Sequence, residues 1–295
     1  MTPDLRHSLG AIEIDRDVVR VAGPDALAYL QGQLSQDVED LDVGSTALSF
    51  LLAPTGKVDA WLRVTRRGGD EVILDVAGGH GEAVLARLRR FLLRTKADVD
   101  LLAWRAVALR GPGSEAAARE AVRGDDRLAV PALWPGVEGA DLLGPDVAPP
   151  PGVEVVGRDA FESLRIRAGV PALGAELTGA TIPAEAGQAV IDASVDFTKG
   201  CFTGQELVAR IDSRGGHVPR RVRGVLVPGG DPAVGDAVVV EGSEVGNVTS
   251  VAPHPAGGSV ALAVVGRAVE PPAAAEVVTA AGPVAATVVG LPVEG

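Results

Sequence analysis

Cysteine, methionine and aromatic residues are scarce in this sequence. Its 295 residues include one cysteine, one methionine and 3% aromatic residues. A single cysteine excludes an internal disulfide and a zinc site built from several cysteines. The four histidines stand far apart and show no metal-ligand spacing, so we expect no metal site. The low aromatic content also fits poorly with a base-stacking surface for nucleic acid.

Long apolar runs and an excess of positive charge are also missing. No apolar stretch approaches the roughly 20 residues that cross a bilayer, and the first residues show no apolar signal-peptide segment. The 39 acidic and 27 basic side chains give a net charge of −12, which argues against general nucleic-acid binding. We therefore expect a cytoplasmic protein without nucleic-acid or membrane partners.

A pattern of strand, Gly-Pro and helix occurs twice, at residues 18–34 and 105–122. This repeat predicts two related α+β units, with a boundary near residue 103 and mainly antiparallel sheets that carry helices on one face. After about residue 216, short valine-rich runs alternate with glycine and proline, which predicts a small β-barrel. The expected fold class is α+β, with the tandem units in residues 1–215 and the C-terminal barrel in residues 216–295.

Several elements of the first unit can be predicted individually. Alternating apolar residues predict strands at 46–52 and 58–64, and the turn Pro54-Thr55-Gly56-Lys57 between them predicts a hairpin. Residues 83–93 have the pattern of an amphipathic helix, in which Phe91 and Leu92 face inward. Residues 158–168 predict a further helix by the same pattern.

Residues 199–206 read Lys-Gly-Cys-Phe-Thr-Gly-Gln-Glu and contain the cysteine, Cys201. Thr203 and Glu206 have the spacing of a capping box, which predicts a helix with Thr203 as its N-cap. The positive end of that helix and the ammonium of Lys199 would favour the thiolate of Cys201 over the thiol. The segment therefore predicts either a reactive thiol or a buried, inert cysteine, which is the commoner case for free cysteines.

This segment closely resembles the signature Lys-Gly-Cys-Tyr-x-Gly-Gln-Glu of the YgfZ-type folate-binding proteins, with Phe202 in place of the tyrosine. That family is related to the aminomethyltransferase, or T-protein, of the glycine cleavage system. The segments at 165–171, 174–177, 182–187 and 244–250 also resemble the family. The resemblance implies an aminomethyltransferase-like folate-binding fold, a bound tetrahydrofolate or other reduced folate, and support of iron–sulfur cluster assembly or repair through Cys201. The implied partners are the folate and iron–sulfur client proteins.

The resemblance also implies which residues form the site. Cys201 and Lys199 are the candidate catalytic residues, and the candidate folate-binding residues are Asp59, Arg165, Glu176, Glu185, Gly204, Gln205 and Glu206. Carboxylates could accept hydrogen bonds from the pterin ring, and an arginine could hold the glutamyl carboxylate. Because Arg165 and Arg167 stand two residues apart on a helix, at most one of them is expected to point inward.

Two questions stay open from the sequence. The aminomethyltransferases typically show two consecutive acids where this sequence has Asp59 followed by Ala60. Because the second acid is missing, a folate-dependent aminomethyl or methyl transferase is the alternative and not the favoured function. Demethylation of a small methylamine is a third possibility. The basic cluster at 214–223 is either a solvated linker or an anion site that suits a polyglutamate tail or a phosphate. His217 is the nearest candidate base for Cys201 in sequence.

Overall fold

The computed structural model describes residues 3–122 and 126–293. In this part of the chain the strands are β1 (Gly10–Ile14), β2 (Arg16–Ala22), β3 (Thr46–Leu52), β4 (Val58–Arg66), β5 (Glu71–Ala77), β6 (Asp98–Leu102), β7 (Arg105–Arg110), β8 (Leu128–Pro131), β9 (Gly139–Gly144), β10 (Glu154–Val155), β11 (Arg220–Val227), β12 (Ala237–Val240), β13 (Ser243–Pro253), β14 (Ser259–Gly266), β15 (Ala273–Thr279) and β16 (Gly282–Val289). The helices are α1 (Ala26–Gln33), α2 (Gly81–Arg89), α3 (Ser114–Ala121), α4 (Arg158–Arg167), α5 (Gln188–Ser194) and α6 (Gln205–Asp212), with a 3-10 turn at Pro183–Ala186.

The first sheet has the strand order β3-β4-β5-β2-β6, with antiparallel neighbours throughout. Its hairpin β3–β4 confirms the prediction for residues 46–64. Helices α1 and α2 pack on one face, where Leu30 and Leu88 meet Leu62 in an apolar core. The prediction for α2 is wrong at its end, because the helix stops at Arg89 and the side chain of Phe91 is 43% exposed.

The second sheet has the order β10-β1-β7-β9-β8. Strand β1 comes from the N-terminal segment and pairs antiparallel with β7, so that Gly10 lies opposite Arg110. The repeat in the sequence recurs in the structure, since Gly23 and Gly111 follow equivalent strands and both have positive φ angles, 135° and 102°. A Cβ at these positions would lie 2.5 Å from Lys96 O and 2.1 Å from Ser8 O, so only glycine fits.

The C-terminal strands form a closed barrel in the order β11-β14-β13-β12-β15-β16. Valines and alanines fill its interior, as the valine-rich runs predict. Helix α4 packs against the barrel through Ile166, which contacts an apolar cluster with Val222 and Leu262. The α+β fold class with a C-terminal barrel is therefore confirmed, while the domain boundary at residue 215 stays a prediction. None of the helices in the described ranges is long and apolar enough to span a membrane.

A chain of buried ion pairs connects the first sheet to the second. Asp75 accepts hydrogen bonds from Arg16 and Arg63, and Arg63 also contacts Asp141 at 2.7 Å. Asp141 in turn contacts Arg110 at 2.6 Å. Burial alone would raise the pKa of Asp141, but the two arginines beside it outweigh burial and lower that pKa to about 2. The charges therefore stabilise one another across the interface between the sheets.

Candidate functional site

A cavity of about 210 Å³ lies between the two sheets and α4, and we call it the Arg110 compartment. Its charged lining residues are Asp15, Arg16, Arg63, Arg110, Asp141, Arg158, Glu162 and Arg165. These are five guanidinium groups and three carboxylates, and each guanidinium has an ion-pair partner once Asp75 and Glu176 behind the walls are included. Trp61, Trp134 and Phe161 provide aromatic walls in a chain that has few aromatic residues. The compartment thus suits a planar ligand that can stack on aromatic rings and make hydrogen bonds to charged groups.

A second cavity of about 250 Å³ adjoins the first, and we call it the Arg223 compartment. The two share the lining residues Leu48, Trp61, Val170 and Pro171, so they lie side by side, and we call them together the channel. The indole Nε1 of Trp61 donates to Ser194 Oγ at 2.9 Å, which fixes the ring where the compartments meet.

Arg110 is held rigidly, yet one of its donors is unused. Its Nη1 donates to Asp141, and its guanidinium stacks over the ring of Trp134 at 4.2 Å. The Nε of Arg110 is buried and has no hydrogen-bond partner in residues 3–122 and 126–293.

Asp59 lies outside both compartments. A bulge interrupts the β3–β4 ladder, so that Leu51 pairs with Ala60 and Leu52 pairs with Val58. Asp59 is the extra residue of this bulge, and its carboxylate contacts Arg87 on α2 at 3.4 Å. Because α2 packs on the apolar core of the first sheet, the structure places Asp59 beside this helix and does not bring it together with the channel.

Glu176 is buried, and protein donors occupy its carboxylate. Its Oε1 accepts from Thr249 Oγ1 at 2.5 Å and from Ser250 Oγ at 2.7 Å, and its Oε2 accepts from the backbone N–H of Ala172 at 2.8 Å. Glu176 therefore ties the loop after α4 to strand β13 of the barrel.

Arg165 and Arg167 of α4 are both buried, so the prediction that at most one of them points inward is wrong. Arg165 is 6% exposed and donates to Ser250 on the barrel at 2.8 Å. Arg167 is 2% exposed and pairs with Asp4 in the N-terminal segment. The barrel and the N-terminal segment cover opposite faces of the helix, which its local sequence does not reveal. Arg165 lines the Arg110 compartment.

Glu185 lines a third cavity, of about 710 Å³, between the 175–185 loop and the barrel. We call it the lateral groove. The carboxylate of Glu185 accepts from Arg220 Nε and from the backbone N–H of Ile182, both at 3.0 Å. Glu176 and Lys57 line the same groove. The predicted folate-binding residues are thus divided, with Arg165 at the channel, two glutamates at the groove and Asp59 at neither.

The helix after the cysteine begins later than the sequence predicts. Helix α6 starts at Gln205, and its N-cap is Gly204, with a φ of 83°. The predicted capping box with Thr203 as N-cap is therefore wrong. Gln205 reaches back and accepts from the backbone N–H of Phe202 at 3.1 Å. A Cβ on Gly204 would lie 2.6 Å from Ala53 O, so glycine allows α6 to dock on the β3–β4 turn.

Lys199 anchors the signature segment to the end of α1. Its ammonium donates to the carbonyl oxygens of Gln31, Leu34 and Gln36 at 2.7–2.9 Å, which satisfies carbonyls at and beyond the helix C-terminus. Burial lowers the pKa of Lys199 to about 8, although Asp37 and two further carboxylates oppose this shift.

Cys201 is exposed, so of the two alternatives from the sequence the buried cysteine is wrong. The chain on either side of it is fixed, by Lys199 before it and by the backbone N–H of Thr203, which donates to Gly32 O at 3.1 Å. The thiol is therefore accessible to a partner molecule and held on an ordered segment. No group of three or more histidine, cysteine or acidic residues that could hold a metal occurs among the described residues.

The sequence interpretation missed the inner walls of the channel. Arg63, Arg110 and Trp134 were not identified as site residues, although they form its charged and aromatic surfaces. One signal was available, since Trp61 and Arg63 alternate with apolar residues on a single strand and therefore face the same side.

Comparison with known proteins finds a matching family over part of this chain and several similar proteins. Residues 4–132 match the family described as "GCVT N-terminal domain". The tRNA-modifying protein YgfZ of Klebsiella pneumoniae is 28% identical over 68% of this chain and 66% of its own length. The mitochondrial iron-sulfur cluster assembly factor IBA57 homolog of Chaetomium globosum is 26% identical over 78% of this chain and 59% of its own length. The matched regions thus span about two thirds or less of these two relatives.

An aminomethyltransferase of Lysinibacillus sphaericus is 26% identical over 83% of this chain and 75% of its own length. Among solved structures, the glycine cleavage system aminomethyltransferase T of Bartonella henselae superposes with a TM-score of 0.80. It is 23% identical, and the match covers 98% of this chain and 87% of the other. At that identity the match shows a shared fold.

Proposed function

We propose, on the premise that this chain is a YgfZ-type relative of the glycine cleavage T-protein, that it binds a reduced folate and supports iron–sulfur cluster assembly or repair. The observation that carries the folate proposal is the pair of adjacent compartments that share Trp61, whose walls combine aromatic rings with several guanidinium groups. A folate has a planar pterin ring at one end and carboxylates at the other, which matches this combination.

Residues of the Arg110 compartment would hold the pterin ring. Trp134 and Phe161 offer aromatic surface, and the guanidinium of Arg110 stacks over Trp134 in the same wall. When bound, a reduced folate supplies one-carbon chemistry. The protein's part is to orient the ring, exclude water from it and keep the charged walls in place through the Asp141 ion pairs.

Cys201 would act outside the channel, as an exposed thiol toward a client protein. Lys199 is then a positioning residue, because its three carbonyl contacts fix the segment that carries the thiol. Gly204 and Gln205 serve the same purpose at the start of α6. A stable cluster generally takes four ligands, so a single cysteine would make only a transient or shared contact with iron. The expected place of action is the cytoplasm.

The other proposed contacts lie further from the channel. Glu176 and Glu185 would shape the folate site through the loop between α4 and the barrel. Asp59 would contact the folate from the edge of the β3–β4 turn. Glu206 would contact it from the first turn of α6.

A folate-dependent aminomethyl transferase is the second candidate, favoured by the Lysinibacillus relative, which covers more of this chain than the YgfZ match does. The two functions differ in their product. Formation of methylene-tetrahydrofolate from an aminomethyl donor would establish the transferase, whereas the first proposal expects none.

Titration calorimetry with tetrahydrofolate tests the binding. We expect a dissociation constant in the micromolar range, about 8 kcal/mol of binding free energy. Trp61→Leu should weaken binding roughly tenfold or more, because aromatic stacking on a ring contributes about 1–3 kcal/mol. Trp104→Leu is the matched control, since Trp104 lies outside the channel beside Arg67. No heat and no competition at millimolar folate would rule out the proposal.

Cys201→Ser separates folate binding from the function of the thiol. The exposed side chain makes this substitution harmless to the fold, so folate affinity should stay unchanged. The activity of iron–sulfur enzymes in cells that depend on this protein should fall to the level of the deletion. Full activity with Cys201→Ser would show that the thiol is not needed.

A further inference from the structure

The loop after α2 is basic and exposes two large apolar side chains. Residues 90–96 lie between α2 and β6, and we call them the Phe91 loop. No acidic residue occurs between Glu82 and Asp98, although the whole chain has a net charge of −12. Phe91 is 43% exposed and Leu93 is 86% exposed. Protein interfaces are enriched in aromatic residues and arginine at their centres, so the loop has the composition of a docking surface.

The positive charges of the Phe91 loop are not neutralised by the described residues. Arg90, Arg94 and Lys96 are exposed, and no carboxylate in the described ranges forms an ion pair with them. Arg89, which precedes the loop, differs because it contacts Asp100 at 3.5 Å. The loop therefore offers three cations to a negatively charged partner, beside two apolar side chains.

Arg87 connects the Phe91 loop to the ends of α1 and β3. Its guanidinium lies 4.3 Å from the ring centroid of Phe91. The same group donates to Gln33 Oε1 at 3.1 Å and to Leu52 O at 3.3 Å. Gln33 is the last residue of α1, and Leu52 is the last residue of β3. Phe91 is thus held, through Arg87, beside the point where these two elements end.

The segment that carries the thiol is anchored at the same point. The backbone N–H of Thr203 donates to the carbonyl of Gly32, in the last turn of α1. Gly204 packs against the carbonyl of Ala53, directly after the end of β3. One partner protein can therefore contact the Phe91 loop and the exposed Cys201 together.

We propose that the Phe91 loop is the surface on which the iron–sulfur client protein docks, and that the client presents an apolar pocket surrounded by carboxylates. This inference rests on the proposed function, which assigns the thiol to such a client. In the complex Phe91 and Leu93 enter the pocket, and the three cations of the loop pair with the carboxylates around it. Docking in this way brings the client to Cys201.

The surroundings of the loop favour a protein over a nucleic acid or an anionic membrane. Glu82, Asp98 and Asp100 flank the basic stretch in a chain that is acidic as a whole. An extended polyanion would bring its phosphates against these carboxylates as well. Nucleic-acid affinity also depends on many phosphate contacts, and the loop offers only three cations that are free of an ion pair among the described residues. A protein patch of matched size contacts the loop alone.

Alkylation of Cys201 on the full chain tests the docking. Cys201 is the only cysteine, so its reaction with excess iodoacetamide can be followed from the mass of this chain. The probe is a purified acidic [2Fe–2S] ferredoxin with its cluster in place, so that its own cysteines are occupied. We expect the ferredoxin to slow the alkylation about tenfold at micromolar concentrations, and the effect to shrink as the salt concentration rises from about 0.05 M to about 0.5 M.

Variants locate the effect on the loop. Arg94→Glu reverses a charge that faces the partner, and Leu93→Asp places a charge in its apolar pocket, so each should weaken the protection about tenfold or more. Arg119→Glu on α3 and Val234→Asp between β11 and β12 are the matched controls, because both residues are exposed elsewhere on the fold. All four variants should keep the native thermal midpoint, since each change is at the surface.

The same variants test the docking in cells that depend on this protein. Leu93→Asp and Arg94→Glu should lower the activity of iron–sulfur enzymes toward the level of the deletion, while the folate affinity of the purified variants stays native. The two control variants should retain full activity. Full activity of both loop variants would overturn the inference.

The remaining outcomes separate the possible occupants and the two proposals. No protection by the ferredoxin, or equal protection of the native protein and Arg94→Glu, would overturn the inference. Protection by tRNA or by phosphatidylglycerol vesicles in its place would assign the loop to a nucleic acid or a membrane. If Cys201→Ser impairs the cells and the loop variants do not, only the docking surface is wrong. If Cys201→Ser itself has no effect, the proposed function of the thiol is refuted.

Discussion

Replacing Asp141 by asparagine should destabilise the protein strongly and change its response to acid. The carboxylate of Asp141 lies between Arg63 and Arg110, at 2.7 and 2.6 Å, and is 2% exposed. Asparagine has nearly the same shape but no charge. The two guanidinium groups would then stay buried with one negative charge fewer between the sheets.

The size of the effect follows from the pKa of Asp141. Its fall from 3.8 to about 2 corresponds to about 2 kcal/mol of preference for the ionised form in the folded protein. Removing one partner of a buried ion pair typically costs about 3–5 kcal/mol, since the remaining charge is left uncompensated. We therefore expect a loss of about 2–5 kcal/mol in the free energy of unfolding at pH 7.

The sign of the pH dependence is also fixed. The pKa of Asp141 is lower in the folded state than in the unfolded state, so its contribution is present above about pH 4 and is lost as the pH falls toward 2. The native protein should lose stability across this window. In Asp141→Asn this part of the acid dependence should be absent.

Urea unfolding followed by circular dichroism, at several values of pH between 2 and 7, measures both effects. Asp146→Asn is the matched control, because Asp146 makes the same kind of pair with Arg127 at the surface. Surface ion pairs contribute little, so its unfolding midpoint should barely move. If Asp141→Asn unfolds at the same urea concentration as the control, the ion-pair chain does not hold the sheets together.

Two further predictions concern the signature segment. Gly204→Ala should cost at least about 1 kcal/mol of stability, because its φ of 83° disfavours a Cβ that would also lie 2.6 Å from Ala53 O. Gly200→Ala is the control and should leave the thermal midpoint unchanged, because a Cβ at this position would have no neighbouring atom within 4 Å. Equal midpoints for the two variants would contradict the prediction. Lys199→Met should cost about 1–2 kcal/mol by leaving three carbonyls without their donor and should increase hydrogen exchange at the end of α1. The exposed Lys96→Met is its control, and an equal effect of both changes would refute an anchoring role.

Local patterns were sufficient to predict much of the fold. The hairpin β3–β4 follows from alternating apolar residues around a Gly-containing turn, and α4 follows from a helical period in residues 158–168. The barrel follows from short valine runs separated by glycine and proline. For the hairpin and the helix the signal lies in neighbouring residues, and for the barrel it recurs in each short run between residues 216 and 295.

The site depends on contacts that no local pattern contains. Whether Asp59 faces the channel is decided by a bulge in the ladder with β3, and a shift of one residue sends a side chain to the opposite face. Arg167 is buried because Asp4, far away in sequence, covers it. The start of α6 is set by the β3–β4 turn, against which only glycine fits at position 204. The motif thus locates the thiol segment but not the channel.

The pairing of β1 with β7 has a consequence for synthesis on the ribosome. Gly10 lies opposite Arg110, and β1 also pairs with β10, so β1 has no partner until β7 is made, which begins at Arg105, 91 residues after β1 ends at Ile14. The first sheet can close before that, because its strands end at Leu102. During this interval β1 presents two unpaired edges, which are sites of aggregation. The speed at which the second unit is translated therefore determines how long β1 of the nascent chain is exposed to aggregation.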